Sequence, residues 1–574
     1  MAHKQKLELT WIGKENRPRL EPRILLQDLE QSYHAPHRVT AKDIFDNKLI
    51  HGDNLLALKA LEQEFSGKIK CTYIDPPFNT QQAFEHYDDT VEHSIWLSLM
   101  RDRLELLRRL LSTGGTLFVH IDDNELGYLI VLLDEVFGRE NRLYVVSFKQ
   151  GSATGHKAIN PGCVNTTNFL LIYAKEKSSW QPNRVFTARE RDERYGQFIE
   201  NIEEPCSKWR ITTLMKAFAA SMRVPEKEAR ALAKSKPETL DEFVVKQARS
   251  VTQLAKPNYE GVSAEARKLI DRSEAQPNEI LRLQREGFSD IYLKGGKRIL
   301  FYSDKLKNID GKWVAGEPLT TLWDDILSNN IHAEGGVDFP KGKKPEGLIK
   351  RALELATNPG DWVLDSFAGS GTTGAVAHKM RRRWIMVELG EHCDTHIRPR
   401  LKSVIDATDT SGITEATGWQ GGGGFRYYRL SPSLLKTDKW GNLVINKEFN
   451  PAMLAEAVCK LEGYTYAPSE TLYWQHGHSS EMSFIYVTTQ HLTREQLTQV
   501  NDEVGPGRAL LICCGAFRGK PENYPNLEIK KIPKAVLAKC EWGHDDYSLK
   551  IENLPKAPPK PGQQDLFAEL EAAL

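Results

Sequence analysis

Residues 71–80 read CTYIDPPFNT, and the fold of the surrounding chain follows from how this stretch must end. Its apolar first half is typical of a buried strand, which stops at Asp75 because proline cannot donate to a sheet ladder. One proline would suffice for a turn, yet Pro76 and Pro77 both follow and lock the backbone before the aromatic Phe78. The reason for so rigid an end directly after a carboxylate depends on what else the chain contains.

The composition excludes several classes of protein. Of 574 residues, 40% are hydrophobic and 27% charged, which is ordinary for a globular chain of about three or four domains. We find no apolar run long enough to span a bilayer and no signal-peptide pattern. The eight cysteines include no C-x-x-C pair, so we expect a cytoplasmic protein with no metal site and no disulfide framework.

The charge balance gives no overall case for nucleic-acid binding, because 77 basic residues offset 77 acidic ones. DNA responds to local basic faces rather than to totals, so such binding is not excluded. The runs at residues 341–344 (KGKK) and 379–383 (KMRRR) could form such faces, with an ordinary solvated surface as the alternative.

A second informative stretch, residues 363–374 (VLDSFAGSGTTG), runs from a predicted strand through a glycine turn into a helix. A glycine turn at the carboxyl end of a strand is a preferred ligand site in α/β sheets. Glu388 ends the next predicted strand, where an acid would hold the hydroxyls of a nucleotide ribose. The loop also matches G-x-G-x-x-G formally, so a nicotinamide or flavin cofactor stays open here. No P-loop lysine follows, so no ATPase is expected.

Together, IDPPF and DSFAGSGTT resemble the motifs of amino-methyltransferases that use S-adenosylmethionine and modify exocyclic amines of DNA bases. The order of catalytic motif, insertion and cofactor motif resembles the β class of that family. HGDNLLAL, WLSLMRDRLELLRRLLS and HIDDNE are similar to the modification (Mod) subunits of type III restriction–modification systems. The resemblance covers residues 45–430 and implies a Rossmann-like α/β methyltransferase domain that is split by an inserted target-recognition domain.

We therefore predict six segments along the chain. A smaller α/β domain, for docking a partner or for dimerisation, is expected after the methyltransferase domain. The segments are an N-terminal segment (1–45), the catalytic half (46–149), the target-recognition insertion (150–325), the cofactor half (326–430), the C-terminal domain (431–555), and a proline-rich linker with a tail (556–574).

The residues of the first stretch suit the chemistry that the resemblance implies. A base amine is a poor nucleophile because its lone pair is delocalised into the ring. Acceptors that hold both amine hydrogens free the lone pair, and the side chain of Asp75 and the carbonyl of Pro76 can serve as those acceptors. Pro76 and Pro77 make them rigid before the substrate arrives, and Phe78 offers a stacking face. The target atom is unreachable inside a duplex, so we expect base flipping.

The resemblance also implies a cofactor site for S-adenosylmethionine. Asp365 anchors the glycine loop in this assignment, and Glu388 holds the ribose. Asp53 resembles the acid that contacts the cofactor adenine, with a helix N-cap as the alternative. Lys344 and Pro345 resemble the remaining cofactor motif. The methionine end of the cofactor is assigned to the glycine loop, at Phe367, Gly369, Gly371 and Thr372.

The target base and the partners follow from the same resemblance. Asp at the first motif position with Phe at the fourth resembles adenine-N6 enzymes, and cytosine N4 stays open as the alternative. A non-catalytic DNA-recognition subunit and an RNA-modifying enzyme are rivals from other classes. The family implies double-stranded DNA as substrate, a homodimer, and a separate restriction or helicase subunit. Within the insertion, the expected phosphate contacts are Arg282, Arg285, Lys294, Lys297 and Arg298.

The end of the chain carries one further motif. From Gln563 to Phe567 the sequence reads QQDLF, which resembles the short peptide with which bacterial proteins dock on the DNA sliding clamp. A terminal amphipathic helix is the alternative. We therefore retain the sliding clamp as a possible partner.

Overall fold

A computed structural model describes residues 8–17, 20, 23–79, 83–84, 87–88, 92–151, 162–326, 331–339, 342–437, 443–446, 450–532 and 536. The chain divides into two compact units, Met1–Asn183 with Thr321–Leu574, and Arg184–Thr320. In the described parts of the chain we find no helix with the length and apolarity needed to cross a membrane. The predicted clamp motif between Gln563 and Phe567 lies outside the described residues.

A ten-stranded mixed sheet forms the frame of the first unit. Six consecutive strands pair in parallel, and antiparallel strands extend the sheet beyond them on both sides. The predicted Rossmann-like α/β domain is thereby confirmed. In spatial order the strands are Leu25–His34, Gly424–Leu430, Asn47–His51, Arg383–Glu388, Trp362–Asp365, Ile69–Ile74, Leu111–Ile121, Thr167–Ala174, Arg142–Lys149 and Leu322–Trp323.

Amphipathic helices connect these strands and pack on the sheet. In His93–Leu110, the apolar residues Trp96, Met100, Leu104 and Leu107 recur at helical spacing, and all of them are buried. They share a core cluster with strand residues such as Leu117 and Val119. The helices of this part are Asn54–Phe65, His93–Leu110, Leu126–Phe137, Glu346–Ala356, Thr372–Lys379, Arg398–Ile405 and Thr414–Thr417.

The order of the central strands creates a crevice at one edge of the sheet. Trp362–Asp365 and Ile69–Ile74 are parallel neighbours. The chain leaves the first of them toward Arg383–Glu388 and the second toward Leu111–Ile121, on opposite sides of the pair. Such a switch in strand order opens a crevice at the carboxyl ends of the strands, where α/β proteins bind ligands.

The second unit has its own sheets and its own core. Its main sheet has six strands, and a three-stranded sheet and four helices complete it. Two of its hairpins turn through a pair of residues with positive φ angles, as such tight turns require. The pairs are Gly295–Gly296, at 55° and 72°, and Asp310–Gly311, at 53° and 79°. In spatial order the six strands are Ile211–Thr213, Gln197–Ile199, Val251–Ala255, Lys297–Phe301, Ile291–Lys294 and Ile280–Leu283. The three-stranded sheet is Leu306–Ile309, Lys312–Pro318 and Phe186–Ala188, and the helices are Leu214–Met222, Glu226–Ser235, Pro237–Lys246 and Ala264–Ala275.

The second unit is shorter than the predicted insertion of residues 150–325. Thr167–Ala174 pairs antiparallel with Leu111–Ile121 and with Arg142–Lys149, so this strand belongs to the sheet of the first unit. Leu322–Trp323 pairs with Arg142–Lys149 at the far edge of the same sheet. The inserted unit is therefore Arg184–Thr320, because both of its flanks are held by strand pairing that a linear pattern does not reveal.

The C-terminal region is α/β, as predicted for residues 431–555. Its five-stranded sheet has three parallel strands, and the helix Arg494–Val504 starts with a capping box between Thr493 and Gln496. This helix and a second one, Pro451–Glu462, pack in two different core clusters, and strand Ala509–Cys514 contributes residues to both. The strands are Thr465–Tyr466, Gly477–Ser480, Ser483–Val487, Ala509–Cys514 and Leu527–Lys531.

Candidate active site

One cavity at the switch in strand order joins the two motifs. The parallel register sets Val363 beside Cys71 and Leu364 beside Thr72, so both strands end at the same edge. Among the predicted site residues, those that line the cavity are Asp75, Pro77, Lys344, Asp365, Phe367, Gly369, Thr372 and Glu388. The others, which lie next to these residues in sequence or at the start of a helix, are Asp53, Pro76, Phe78, Pro345 and Gly371.

The Asp75 carboxylate forms an ion pair with Lys344 and has His120 as a more distant polar neighbour. Its Oδ2 atom is 2.6 Å from the Nζ of Lys344, and its Oδ1 atom is 3.5 Å from the Nδ1 of His120. The same Nζ atom lies 5.0 Å from the centroid of the Phe78 ring. The carboxylate, an ammonium group and an aromatic face thus converge at one point of the cavity wall.

The backbone after Asp75 is fixed by side chains from two helices. The Nε1–H of Trp96 donates to the carbonyl oxygen of Pro77 over 2.9 Å. Asn79 has a left-handed φ of 58°, and its Nδ2 donates to the Oε1 of the buried Glu125 over 2.7 Å. The turn after the strand is therefore rigid beyond what the prolines impose.

Asp365 organises the glycine loop, as its predicted anchoring role requires. Its Oδ1 accepts from the Phe367 N–H over 2.9 Å, and its Oδ2 accepts from the Thr373 hydroxyl over 2.6 Å. Burial raises the pKa of Asp365 to about 7, although these two hydrogen bonds oppose the shift. A Cβ atom at Gly371, where φ is 77°, would lie 2.9 Å from a methyl group of Ile397, so the turn needs glycine there.

Glu388 links the glycine loop to the next strand. Its Oε2 accepts from the Gly369 N–H over 2.7 Å, and its Oε1 accepts from the Leu389 N–H over 2.8 Å and lies 3.0 Å from the Nε2 of His392. Burial alone would raise the pKa of Glu388, but the His392 contact and the backbone N–H groups outweigh it and lower that pKa. A carboxylate is thereby kept ionised at the cavity edge.

Asp53 has the alternative role that the sequence left open. It is the N-cap of Asn54–Phe65, and its Oδ1 accepts from the Leu56 N–H over 3.0 Å. Asn54 lines the cavity instead, and its Nδ2 donates to the carbonyl oxygen of Ser366 over 2.7 Å. Asp53 is therefore a helix N-cap in this structure, and its adenine contact stays a prediction, since the cap uses only Oδ1.

A buried ionic cluster stands behind the cavity and involves the residue after Pro345. Glu346, Lys379 and Arg400 have fully buried side chains, with Lys379 2.8 Å from Glu346 and Arg400 2.8 Å from Glu346. Lys379 also lies 2.7 Å from Asp409. Arg400 further donates to the hydroxyl of Thr372 over 2.9 Å, so the cluster connects the Lys344 segment with the glycine loop.

Several cations of the two basic runs are used inside the fold. Lys343 is buried and donates to the carbonyl oxygen of Val337, while Lys344 faces Asp75. Lys379 belongs to the ionic cluster, and Arg382 is buried against Thr357. Arg381 donates to the Thr40 hydroxyl, and the exposed Arg383 lies 3.7 Å from Asp46. A basic face for DNA at these runs stays a prediction.

Sequence reasoning missed several residues of the cavity. Tyr73 and Ser366 line it with buried hydroxyl oxygens that have no hydrogen-bond partner among the described residues. Tyr73 precedes Asp75 by two positions and therefore shares its face of the strand, which is a signal that the sequence does contain. Phe339 also lines the cavity, and tertiary packing alone brings it there. In the described chain, no group of three or more His, Cys, Asp and Glu side chains could hold a metal ion.

A parallel sheet that brings a glycine loop and an Asp-Pro-Pro-Phe end into one cavity defines the class of amino-methyltransferase domains. A family model described as DNA methylase matches residues 69–397. The match covers more than half of the chain, and the chain belongs to this family. The predicted family is confirmed.

Three relatives give the scale of the similarity. A probable type III restriction-modification enzyme HindVI Mod subunit from Haemophilus influenzae is 34% identical over 415 residues, which are 67% of this chain and 54% of the relative. The type III EcoP15I Mod subunit from Escherichia coli is 24% identical and matches 76% of this chain and 73% of the relative. The type II methyltransferase M.EcaI from Enterobacter cloacae is 27% identical, and the match covers 67% of this chain and 75% of the relative. The chain thus spans about half the length of the Haemophilus relative.

Solved structures show a weaker similarity. The PvuII DNA methyltransferase, described as cytosine-N4-specific, has 13% identity and a TM-score of 0.32 over 68% of this chain and 98% of that chain. The M1.HpyAVI–SAM complex has 14% identity and a TM-score of 0.30, and the match covers 62% of this chain and 98% of that chain. Because both TM-scores are low, the fold of this chain is defined by its own sheet topology.

Proposed function

We propose that the chain is a site-specific DNA methyltransferase that uses S-adenosylmethionine and acts on adenine N6. The observation that carries this proposal is the single cavity that joins Asp75 to the glycine loop and Glu388. Membership of the DNA methylase family supports the reaction type. The relatives named as type III Mod subunits support a restriction or phage-defence setting.

The cavity has the donors and surfaces that S-adenosylmethionine needs. The buried hydroxyls of Tyr73 and Ser366 suit the charged methionine end, next to the glycine loop. Phe339 and Ile349 add apolar surface of the kind that an adenine ring requires. Glu388 Oε2 accepts from the Gly369 N–H and keeps capacity for a ribose hydroxyl.

We assign the chemistry to Asp75 and its neighbours. When bound, the cofactor supplies an electrophilic methyl group on a positively charged sulfur. Asp75 and the Pro76 carbonyl would accept the two hydrogens of the target amine, so that its lone pair is directed at this methyl group. The amine would contribute the electrons of the new N–C bond as the S–C bond breaks with its electrons left on sulfur, and Asp75 would be placed to accept the proton that the amine releases. The target base would be flipped out of the duplex against Phe78.

Adenine is the base that we propose, with cytosine N4 as the second candidate. The support is the pairing of Asp75 with Phe78 in the motif and the relatives named as type III Mod subunits. The complete set of Asp75, the prolines, Phe78 and the glycine loop in one cavity region argues against a purely non-catalytic recognition subunit.

We propose that Arg184–Thr320 reads the target sequence. It is a separate compact unit, and along the sequence it lies between the two halves of the methylase domain, as a recognition insertion would. Arg282 is held by Asp290 at 2.6 Å, which leaves Lys294, Lys297 and Arg298 as the better phosphate contacts. Arg285 lies over the ring of Phe288 at 5.4 Å, and this exposed aromatic residue is a further DNA contact that we propose.

Further partners follow from the family and from the cysteine pattern. We propose a homodimer, a separate restriction or helicase subunit, and a cytoplasmic location. All cysteines among the described residues are free thiols, which suits a reducing compartment. Sliding-clamp binding through the segment from Gln563 to Phe567 remains a proposal from the sequence motif alone.

The experiment that tests the proposed function is methyl transfer by the purified chain. Labelled S-adenosylmethionine is incubated with unmethylated duplex DNA or with RNA, and the modified base is identified by mass spectrometry. We expect N6-methyladenine in DNA only, and we expect Asp75→Asn to reduce its rate by about 100-fold, as for the loss of one aimed polar group in an active site.

The control variant is Asp361→Asn. Asp361 directly precedes the strand Trp362–Asp365, at the end opposite to Asp365, and its carboxylate accepts from the Asn358 N–H. This variant should leave the rate unchanged. Methylation of RNA alone, or an Asp75→Asn rate equal to that of the control, would contradict the proposal.

A further inference from the structure

His120 contacts the Asp75 carboxylate although no motif of the chain assigns it a role. The register of the neighbouring strands pairs Ile74 with Val119, and it therefore brings Asp75 beside His120. The imidazole is completely buried, and its Nδ1 is 3.5 Å from the Oδ1 of Asp75. The rings of Phe78 and Phe148 lie 5.2 Å and 4.9 Å from it, between centroids. At 3.5 Å the approach to Asp75 is longer than an ordinary hydrogen bond, and the Nδ1 atom of His120 has no hydrogen-bond partner among the described residues. A buried polar atom without a partner is costly, which favours closure of this short gap.

The second nitrogen of the imidazole has a partner that fixes the position of its proton. The Nδ2 of Asn168, itself buried, lies 3.0 Å from the Nε2 of His120. An amide NH2 group donates, so Nε2 accepts and the single proton of the neutral ring resides on Nδ1. Burial, together with the charge of Lys344, lowers the pKa of His120 well below its usual value, which keeps the ring neutral. The Nδ1–H group therefore points toward Asp75.

We propose that Asn168 and His120 form a positioning pair that presents the Asp75 carboxylate to the target amine. The inference rests on the proposed methyl transfer and adds two residues to it. In the proposed pair the Nδ1–H group of His120 closes from 3.5 Å to hydrogen-bond distance of Oδ1, from behind the cavity wall. Oδ2 is the atom that Lys344 contacts from the cavity, so it is the oxygen left for the amine. A carboxylate with one oxygen fixed in this way cannot rotate away from the nucleophile.

The pair acts through Asp75 and does not touch the reacting atoms. Its contribution should thus appear in the methyl-transfer step and not in the affinity for cofactor or DNA. A role limited to filling space would instead change stability, and it would not depend on which imidazole nitrogen is replaced.

Two substitutions of His120 separate these roles. The amide nitrogen of Asn can occupy the position of Nδ1, so His120→Asn keeps a donor for Asp75. The amide of Gln reaches the position of Nε2, so His120→Gln keeps the contact with Asn168 and loses the one with Asp75. Both variants bury one amide at the same site, and each is therefore the control for the stability of the other.

The measurement is the single-turnover rate of methyl transfer to DNA, together with the dissociation constants of S-adenosylmethionine and DNA. We expect His120→Gln to be slower than His120→Asn by about tenfold, as for one hydrogen bond to a charged acceptor. Both dissociation constants should stay within about threefold of wild type, a small change on the affinity scale. Equal rates for the two variants, or a loss confined to binding, would overturn the proposal.

A third variant addresses the tautomer directly. In Asn168→Asp the new carboxylate accepts instead of donating, so the imidazole proton moves to Nε2 and the Nδ1 lone pair faces Asp75. We expect this variant to slow methyl transfer as His120→Gln does, and an unchanged rate would overturn the proposal. A wild-type chain without any methyl transfer would contradict the proposed function, whereas an active wild type with equal variants contradicts only the positioning pair.

Discussion

Lys344 and Asp75 form an ion pair of 2.6 Å between Nζ and Oδ2, and the same ammonium group lies 5.0 Å from the ring centroid of Phe78. The lysine thus contacts both the acceptor and the stacking face that the proposed mechanism gives to the target base. A base amine that enters the cavity must take the place of this ammonium group. In the proposed mechanism, the Lys344 ammonium group therefore occupies the place of the target nitrogen.

Lys344→Met should increase base flipping because the base no longer has to displace a cation from Asp75. The measurement is the fluorescence of 2-aminopurine at the target position of a duplex, and we expect it to rise relative to wild type. Lys350→Met is the control, because it also removes a lysine from an ion pair. The Nζ atom of Lys350 lies 2.8 Å from the Oε1 atom of Glu354, four residues further along the same helix. A lower or unchanged signal in Lys344→Met would show that the lysine does not compete with the base.

Glu388→Gln should weaken S-adenosylmethionine binding by about tenfold or more, the effect of losing a charged acceptor. The Gln amide would also oppose the N–H group of Gly369, which now donates to Oε2 over 2.7 Å. Glu391→Gln is a matched control because Glu391 is exposed and three positions away. Calorimetric titration of both variants measures the effect, and equal affinities would exclude the assigned role.

The lowered pKa of Glu388 also has a consequence for pH. A folded-state pKa below the ordinary value of 4.5 adds stability that is present above pH 4.5 and is lost as the pH falls through the folded value. Cofactor affinity that depends on ionised Glu388 should therefore stay constant from neutral pH down to pH 4.5. Titrations across this range check the prediction, and a loss of Glu388-dependent binding well above pH 4.5 would contradict it.

Asp365→Asn should remove a pH dependence of stability. The pKa of Asp365 is raised from 3.8 to about 7 in the folded chain, so the folded state binds a proton more tightly than the unfolded state does. Its stabilising effect is complete below pH 3.8 and is lost as the pH rises to about 7. We expect the thermal midpoint of wild type to fall more across this interval than that of the variant, and parallel curves would contradict the prediction.

Arg400→Met should lower the free energy of unfolding by about 3–5 kcal/mol, because it leaves Glu346 with one cation fewer inside the fold. Adding Glu346→Gln should restore part of this loss. The control is Arg230→Met, which breaks an exposed pair with Glu226 and should cost less than about 1 kcal/mol. Chemical denaturation compares the variants, and similar losses for Arg400 and Arg230 would show that the buried cluster adds no stability.

The sequence predicted what local rules determine. Pro76 and Pro77 end a strand wherever they occur, and the glycines of residues 363–374 need a turn, so both motifs were expected at strand ends. The family, confirmed by the match to residues 69–397, then added the order of the domains. The meeting of Asp75 with the glycine loop was implied by the family resemblance, and the parallel register of the two strands accounts for it physically.

Features that depend on pairing between distant strands could not be predicted. Thr167–Ala174 reads as a strand, but only its antiparallel register with Leu111–Ile121 shows that it belongs to the methylase sheet. Asp53 illustrates a second limit, since a helix N-cap and a ligand-binding acid share one local pattern. The contact between His120 and Asp75 depends on strand register and on the rotation of both side chains, neither of which sequence spacing specifies.

The most direct test of the account is long-read sequencing of DNA from a methylation-free host that expresses this chain, beside an Asp75→Ala control. The account predicts N6-methyladenine at one recurring motif in the wild-type sample and at no motif in the control. Cytosine-N4 marks at such a motif would retain the chemistry and correct the base. The absence of any mark from cells that contain the folded chain, or the same marks in both samples, would contradict the central claim.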